Sequence, residues 1–238
     1  MAALLLIKTG TSLPALVSRR KDYDTWIRTG LGVPESETRL ASVYLDEPLP
    51  PVRDVAGAVI SGSSAMVTDR ADWSERTAEW LREAVQLELP ILGICYGHQL
   101  LAHALGGVVE YNPYGRHIGT VDVTLREEAK SDRLFGAFRE ALHVPVSHRQ
   151  AVTKLPDGAV LLAEAAGDPI HAFRVGKSAW GVQFHPEFDA NIVRGYIEAR
   201  RDQLLQEGLD ADALWENAMD SADGTILLRR FADVVRRR

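Results

Sequence analysis

Three runs in the first hundred residues, "ALLLIKTG", "VAGAVISG" and "ILGI", are apolar without a polar alternation. A strand that is apolar on both sides must be covered on both sides, as happens in a parallel sheet sandwiched between helices. The segments between the runs agree with this. "DWSERTAEWLREAVQLE" repeats apolar residues at helical spacing (Trp73, Ala78, Trp80, Leu81, Ala84, Val85 and Leu87) and offers Asp72 or Ser74 as a cap. Pro90 ends it, "ILGI" reads as a strand, and "HQLLAHALGG" as a helix closed by Gly106 and Gly107. A helix is expected between Leu16 and Thr29, and a strand at "TRLASVYLDE". The first half therefore alternates strand and helix, the pattern of an α/β fold with a mainly parallel open sheet.

From Gly107 to Phe184 the pattern changes. "VVEYN", "GTVDVTL", "LHVPVSH", "AVLLAEA", "IHAFRV" and "AWGVQF" read as successive strands, some antiparallel, and the chain from about Ala190 onward reads as helical. Residues 1–238 show no internal repeat, low-complexity stretch or linker, so one domain is expected. The formal net charge of −6 argues against a broad nucleic-acid surface. The basic end "RRFADVVRRR" is what a helix C-terminus favours. The opening apolar run is too short for a membrane span, so a cytoplasmic protein with no membrane contact is expected.

The single cysteine, Cys95, excludes an internal disulfide. It stands in "GICYG", a Gly-x-Cys-x-Gly at a strand-to-helix junction. That is the thiol form of a nucleophile elbow, in which side chains at the flanking positions would crowd the neighbouring strand and helix. Gly93 and Gly97 remove them, and the helix N-terminus favours a thiolate. A nucleophile needs a base, and the base needs an orienting group. "WGVQFHPEF", residues 180–188, ends a strand with His185 and Glu187 two residues apart and Pro186 stiffening the pair. Cys95, His185 and Glu187 are thus read as a triad, with sulfur and imidazole about 3 to 4 Å apart.

The two motifs together resemble the class I glutamine amidotransferases of the Cys-His-Glu type, and most of all the stand-alone relatives of the GMP synthase amidotransferase domain. The resemblance runs from about Leu4 to Ile197. It implies a flavodoxin-like sheet and a reaction in which the cysteine attacks the side-chain amide of glutamine, a γ-glutamyl thioester forms, and ammonia leaves. It implies no cofactor, and a synthetase partner in trans to use the ammonia. It also assigns further residues. "VISGSSAMV" matches the family's Ser-Gly-Gly-Pro strand end, which puts Gly62 beside the substrate and Ser63 where a glycine N–H usually faces the oxyanion. Tyr96 would supply the second N–H. Gln99 matches the glutamine-binding residue one turn after the nucleophile. "VSHRQAV" resembles the substrate-binding turn, with Arg149 and Gln150 near substrate and Ser147 and His148 in support; Arg149 stands where a glycine is common. "NPYGRHIG", residues 112–119, resembles a turn bordering the site.

The same residues admit other readings. Cys95 and His98 have a ligand-like spacing, but no second pair accompanies them, and His98 and His103 are five apart, so no metal is expected. "GKS" at 176–178 imitates the end of a P-loop, but the glycine it requires is His171. A hydrolase of γ-glutamyl peptides or amines would use the same triad. A redox sensor on the same fold would need the thiol but not His185 and Glu187.

Overall fold

The computed structural model describes residues 2–237; Met1 and Arg238, the two ends of the run read as one domain, lie outside the described residues. The apolar runs become β1 (Ala3–Lys8), β3 (Val55–Ile60) and β4 (Ile91–Ile94), with β2 (Thr38–Ser42) beside β1. Helices α1 (Pro14–Arg20), α2 (Tyr23–Leu31), α3 (Asp72–Gln86) and α4 (Tyr96–Ala104) connect or follow them. The second half supplies β5 (Val108–Tyr111), β6 (His117–Leu125), β7 (Ala141–His148), β8 (Gln150–Lys154), β9 (Val160–Ala165), β10 (Asp168–Val175) and β11 (Ala179–Val182). Four helices end the chain: α5 (Ala190–Glu198), α6 (Arg201–Gln206), α7 (Ala211–Glu216) and α8 (Ala222–Arg236).

Nine strands form one sheet in the order β2-β1-β3-β4-β11-β10-β9-β6-β7. The pairings are parallel from β2 to β11 and antiparallel from β11 to β7. β5 and β8 make a separate antiparallel ribbon. The first apolar run shows why no alternation was visible. Leu4 and Leu6 join a core shared with α2 and α8, whereas Leu5 and Ile7 join another shared with α3 and α4. All four are at most 5% exposed. Each buried side chain of this size contributes roughly 1.5–3 kcal/mol, so covering both faces stabilises the strand twice over. No helix of the described residues is long and apolar enough to cross a membrane.

Several local expectations are corrected. The expected helix in Leu16–Thr29 is two helices, α1 and α2, parted by Lys21 at φ 70°. "TRLASVYLDE" is strand only to Ser42 and then a 3-10 turn. Neither Asp72 nor Ser74 caps α3; Ala71 holds the cap position without a side-chain bond. Ser74 lies inside the helix and binds the Tyr96 hydroxyl at 2.7 Å. "VSHRQAV", read as resembling a substrate-binding turn, comprises the end of β7 and the start of β8, with Arg149 alone between them. The helix read across "NIVRGYIEARRDQLLQEG" breaks at Ala199 and Arg200 into α5 and α6.

Candidate active site

Four adjacent parallel strands, β1, β3, β4 and β11, send the loops at their C-terminal ends to one place, where open parallel sheets form their sites. Cys95 follows β4 and occupies the cap position of α4, one residue before the helix. Its φ of 50° and ψ of −98° lie outside the regions an L-residue prefers, a strained position held by its surroundings. The backbone N–H of Cys95 donates to Val182 at 2.8 Å, and its carbonyl accepts from Gln99 at 3.1 Å. The glycines on either side are demanded by packing. A Cβ on Gly93 would stand 2.4 Å from the Gly97 carbonyl oxygen, and one on Gly97 would stand 2.6 Å from that of Ile60.

The His-Pro-Glu segment follows β11. Its register is fixed by the His185 N–H donating to Pro145 at 2.8 Å. The Cys95 sulfur is one of the groups that act on the charge of the His185 ring. On its other side Nδ1 meets Glu187 Oε1 at 2.8 Å. Both side chains are almost wholly buried. Burial alone would lower the pKa of His185, but the Glu187 carboxylate and then Cys95 outweigh it and push it up to about 10. The ring is stacked against Phe188 at 4.0 Å, and Phe188 in turn against Tyr196 at 5.2 Å. Tyr23 faces both His185 and Phe188, and its hydroxyl meets that of Tyr196 at 2.7 Å. Gly62 makes room for the imidazole, since a Cβ there would come within 2.7 Å of it.

The structure accommodates Ser63 where a glycine is usual. Its hydroxyl donates to the Thr9 carbonyl at 2.8 Å and accepts from the Ala65 N–H at 3.1 Å. The space comes from Gly10, where a Cβ would stand 2.6 Å from the Ser63 hydroxyl. The backbone N–H groups of Ser63 and Tyr96 have no acceptor among the described residues. Both residues line a cavity of about 210 Å³ over Cys95. Gln99, Arg149 and Gln150 line it as well. Gln99 is 4% exposed, and its amide nitrogen already donates to the Gln150 carbonyl at 2.6 Å and to Gln183 at 2.9 Å, which ties β8 to α4. The Gln150 side chain turns away to Thr68 at 2.6 Å. Arg149 is exposed and rests over the Tyr111 ring at 5.5 Å. The Ser147 carbonyl is 4.0 Å from the sulfur.

Behind the cavity, Asp168 takes two imidazoles: His148 at 2.9 Å and His171 at 3.3 Å, all three fully or almost fully buried. Burial would raise the Asp168 pKa, but the two imidazoles hold it well below the usual carboxylate range. Burial lowers His148 to about 4 and His98 to about 3, so both are neutral near pH 7. His117, His148 and Asp168 bring ligand atoms within 4.8 Å of one another; neither Cys95 nor His98 belongs to that group.

Arg116, in the turn 112–119 expected to border the site, lines the cavity, as do Arg200 and Gln203, which sequence reasoning did not assign. No spacing could have announced Arg200 and Gln203, because the start of α6 reaches the site only through the packing of the C-terminal helices. Phe188 was legible in principle, as the residue that closes the His-Pro-Glu motif.

A family model, glutamine amidotransferase class-I, matches residues 33–197. GMP synthase (glutamine-hydrolysing) of Porphyromonas gingivalis is 33% identical over 187 residues, 77% of this chain and 33% of that one. The chain thus spans about a third of the length of that relative. A GMP synthase (glutamine-hydrolysing) subunit of Halobacterium salinarum is 37% identical over 144 residues, 60% of this chain and 72% of its own. Among solved structures, a glutamine amidotransferase of Thermotoga maritima superimposes with a TM-score of 0.76 at 23% identity, covering 99% of this chain and 98% of its own. With its elbow cysteine and His-Pro-Glu strand end inside the matched residues, the chain belongs to the class I glutamine amidotransferase family.

Proposed function

We propose that this chain hydrolyses the side-chain amide of glutamine through a thioester on Cys95. The observation that carries the reading is the buried line of Cys95, His185 and Glu187, with His185 held protonated near neutral pH. In the first step Sγ attacks the amide carbon, and the oxygen that gains charge is met by the N–H groups of Ser63 and Tyr96. His185 gives its proton to the departing nitrogen, the C–N bond breaks, and ammonia leaves a γ-glutamyl thioester. Water then attacks the thioester, His185 takes its proton, and the C–S bond breaks to release glutamate and the thiolate. Glu187 holds the imidazole in place and stabilises its cation.

No cofactor is needed for this sequence. The thiol must stay reduced, which fits a cytoplasmic setting. One relative is a component of GMP synthase, and this supports a synthetase partner in trans as the consumer of ammonia. The same steps cleave γ-glutamyl peptides or amines, with an amine leaving in place of ammonia. The test is glutamate release from glutamine by the purified chain and by Cys95→Ser. The variant should lose at least about 100-fold in turnover, the scale of one essential catalytic group, while keeping its circular dichroism spectrum. A folded Cys95→Ser protein with undiminished turnover would remove the thioester from the mechanism.

A further inference from the structure

Two histidines and a carboxylate meet where three strands end behind the cavity, and the proposed mechanism uses none of them. In the β6–β7 pairing His117 stands directly opposite His148, which puts both side chains on one face of the sheet. Asp168 opens β10 just after Gly167, a turn residue with a φ of 72°. The three residues come from three different strands, and each brings one ligand atom to a group whose members all lie within 4.8 Å of one another. His148 and Asp168 are buried, and His117 is half-buried at the open end of the group.

The polar atoms of this group are poorly served by the protein. Among the described residues no lysine or arginine pairs with Asp168; its two charged neighbours are His148 and His171. His148 Nε2 stands 2.9 Å from Asp168 Oδ2, yet the two are not aligned as a hydrogen bond, and His148 Nδ1 and Asp168 Oδ1 have no partner either. The His117 ring packs on that of His148 at 5.3 Å and forms no hydrogen bond among the described residues. A Cβ on Gly167 would stand 2.9 Å from His117 Nε2, so the glycine leaves that nitrogen clear. Buried polar groups in native proteins have partners, and several left without one at a single place mark room for an ion. The type of ion follows from the donors. Two imidazoles and a carboxylate suit zinc and its transition-metal neighbours, whereas calcium and magnesium take oxygen ligands.

We propose that His117, His148 and Asp168 bind one divalent transition-metal ion, zinc before others, with water in the fourth position. Zinc bonds of about 2.0–2.2 Å set tetrahedral ligands roughly 3.4 Å apart. The His148–Asp168 contact therefore opens slightly, and His117 turns inward from its strand end. His171 Nδ1, 3.3 Å from Asp168 Oδ2, steadies the carboxylate from behind. The ion pins the end of β7 between two contacts at the cavity: the Ser147 carbonyl, 4.0 Å from the Cys95 sulfur, and the Gln150 carbonyl, held by Gln99 at 2.6 Å. Its role is to hold this strand end, and no step of the thioester chemistry passes through it. The Cys95–His98 and His98–His103 spacings pointed away from a metal because these donors are assembled across strands and not along the chain.

The test uses the full chain with Cys95→Ala, stripped with a chelator. That substitution removes the thiol as a competing zinc ligand and makes the result independent of the thioester reading. Calorimetric titration with zinc should show one ion per chain, and zinc in excess should raise the urea midpoint, since an ion that binds only the folded state stabilises it. Cobalt in place of zinc should give the visible bands of a four-coordinate site with nitrogen and oxygen ligands. Adding His117→Ala, at a half-buried position, should weaken zinc by at least about tenfold and remove the midpoint shift. Asp168→Asn, which keeps the shape of the side chain, should do the same. His143→Ala, at an exposed histidine outside the group, should leave zinc binding as it was. No zinc uptake by the Cys95→Ala chain overturns the proposal. So does zinc binding that His117→Ala leaves unchanged, or that His143→Ala abolishes.

Discussion

His185 shows how much a single residue's state depends on its two neighbours. Burial works against its charge, and Glu187 reverses the outcome. Glu187→Gln keeps the shape but removes the carboxylate that outweighs burial, so the His185 pKa should fall from about 10. In the proposed mechanism the imidazolium is the proton donor. We therefore expect the alkaline limb of kcat/KM to move to lower pH and kcat to fall by about 100-fold. Rate profiles of both proteins between about pH 6 and 10 measure this. An unmoved limb would mean that Glu187 does not set the protonation of His185. Ser63 is instructive in another way. Its side chain was a departure from the family pattern, and the fold absorbs it through Gly10, fifty-three positions earlier, with the serine hydroxyl bound to Thr9.

Among the elements, α8 reaches furthest from its place in the sequence. Its first turn packs on the His-Pro-Glu segment: a Cβ at Gly224 would stand 2.6 Å from the Pro186 carbonyl oxygen and 2.8 Å from its Cα. Alanine has the better helix propensity by about 1 kcal/mol. Backbone on the far side of this contact cannot yield cheaply, and overpacking costs about 1–3 kcal/mol. Gly224→Ala should lower stability in urea by about 1 kcal/mol or more. It should lower turnover more than that loss explains, about tenfold, because His185 and Glu187 move with Pro186. A variant of wild-type stability and turnover would show that the segment is positioned without α8.

For the whole molecule, the buried histidines give stability a maximum in pH. His98 and His148 are held neutral, with pKa values lowered to about 3 and about 4, against about 6.5 in the unfolded chain. Between those values the unfolded state binds more protons, so stability is full above pH 6.5 and is lost as pH falls. His185 acts in the opposite sense. Its pKa is raised, so its contribution is full below pH 6.5 and is lost as pH rises through about 10. We expect the urea midpoint to peak near pH 6.5 and decline on both sides. From pH 7 to 5 His98 alone should account for about 2 kcal/mol, so His98→Gln should flatten the acid limb by that amount. Parallel acid limbs in the two proteins would assign the loss to other groups.

The sequence alone determined the parallel half of the sheet, the elbow at Cys95 and the His185–Glu187 strand end. These are local rules: apolar runs without alternation demand cover on two faces, and glycines beside a lone cysteine at a strand end leave few other geometries. The tertiary structure decided what depends on distant chain. It set Arg149 as the sole residue between two strands, because β8 pairs with β5 some forty residues earlier. It turned the Gln150 side chain to Thr68 and spent the Gln99 amide on β8 and Gln183. It gathered His148, Asp168 and His171 into one buried cluster. It also brought Arg200 from the C-terminal helices to the mouth of a cavity whose floor lies a hundred residues before it. Contacts of that separation follow from which surfaces bury the most apolar area together, and no spacing along the chain encodes them.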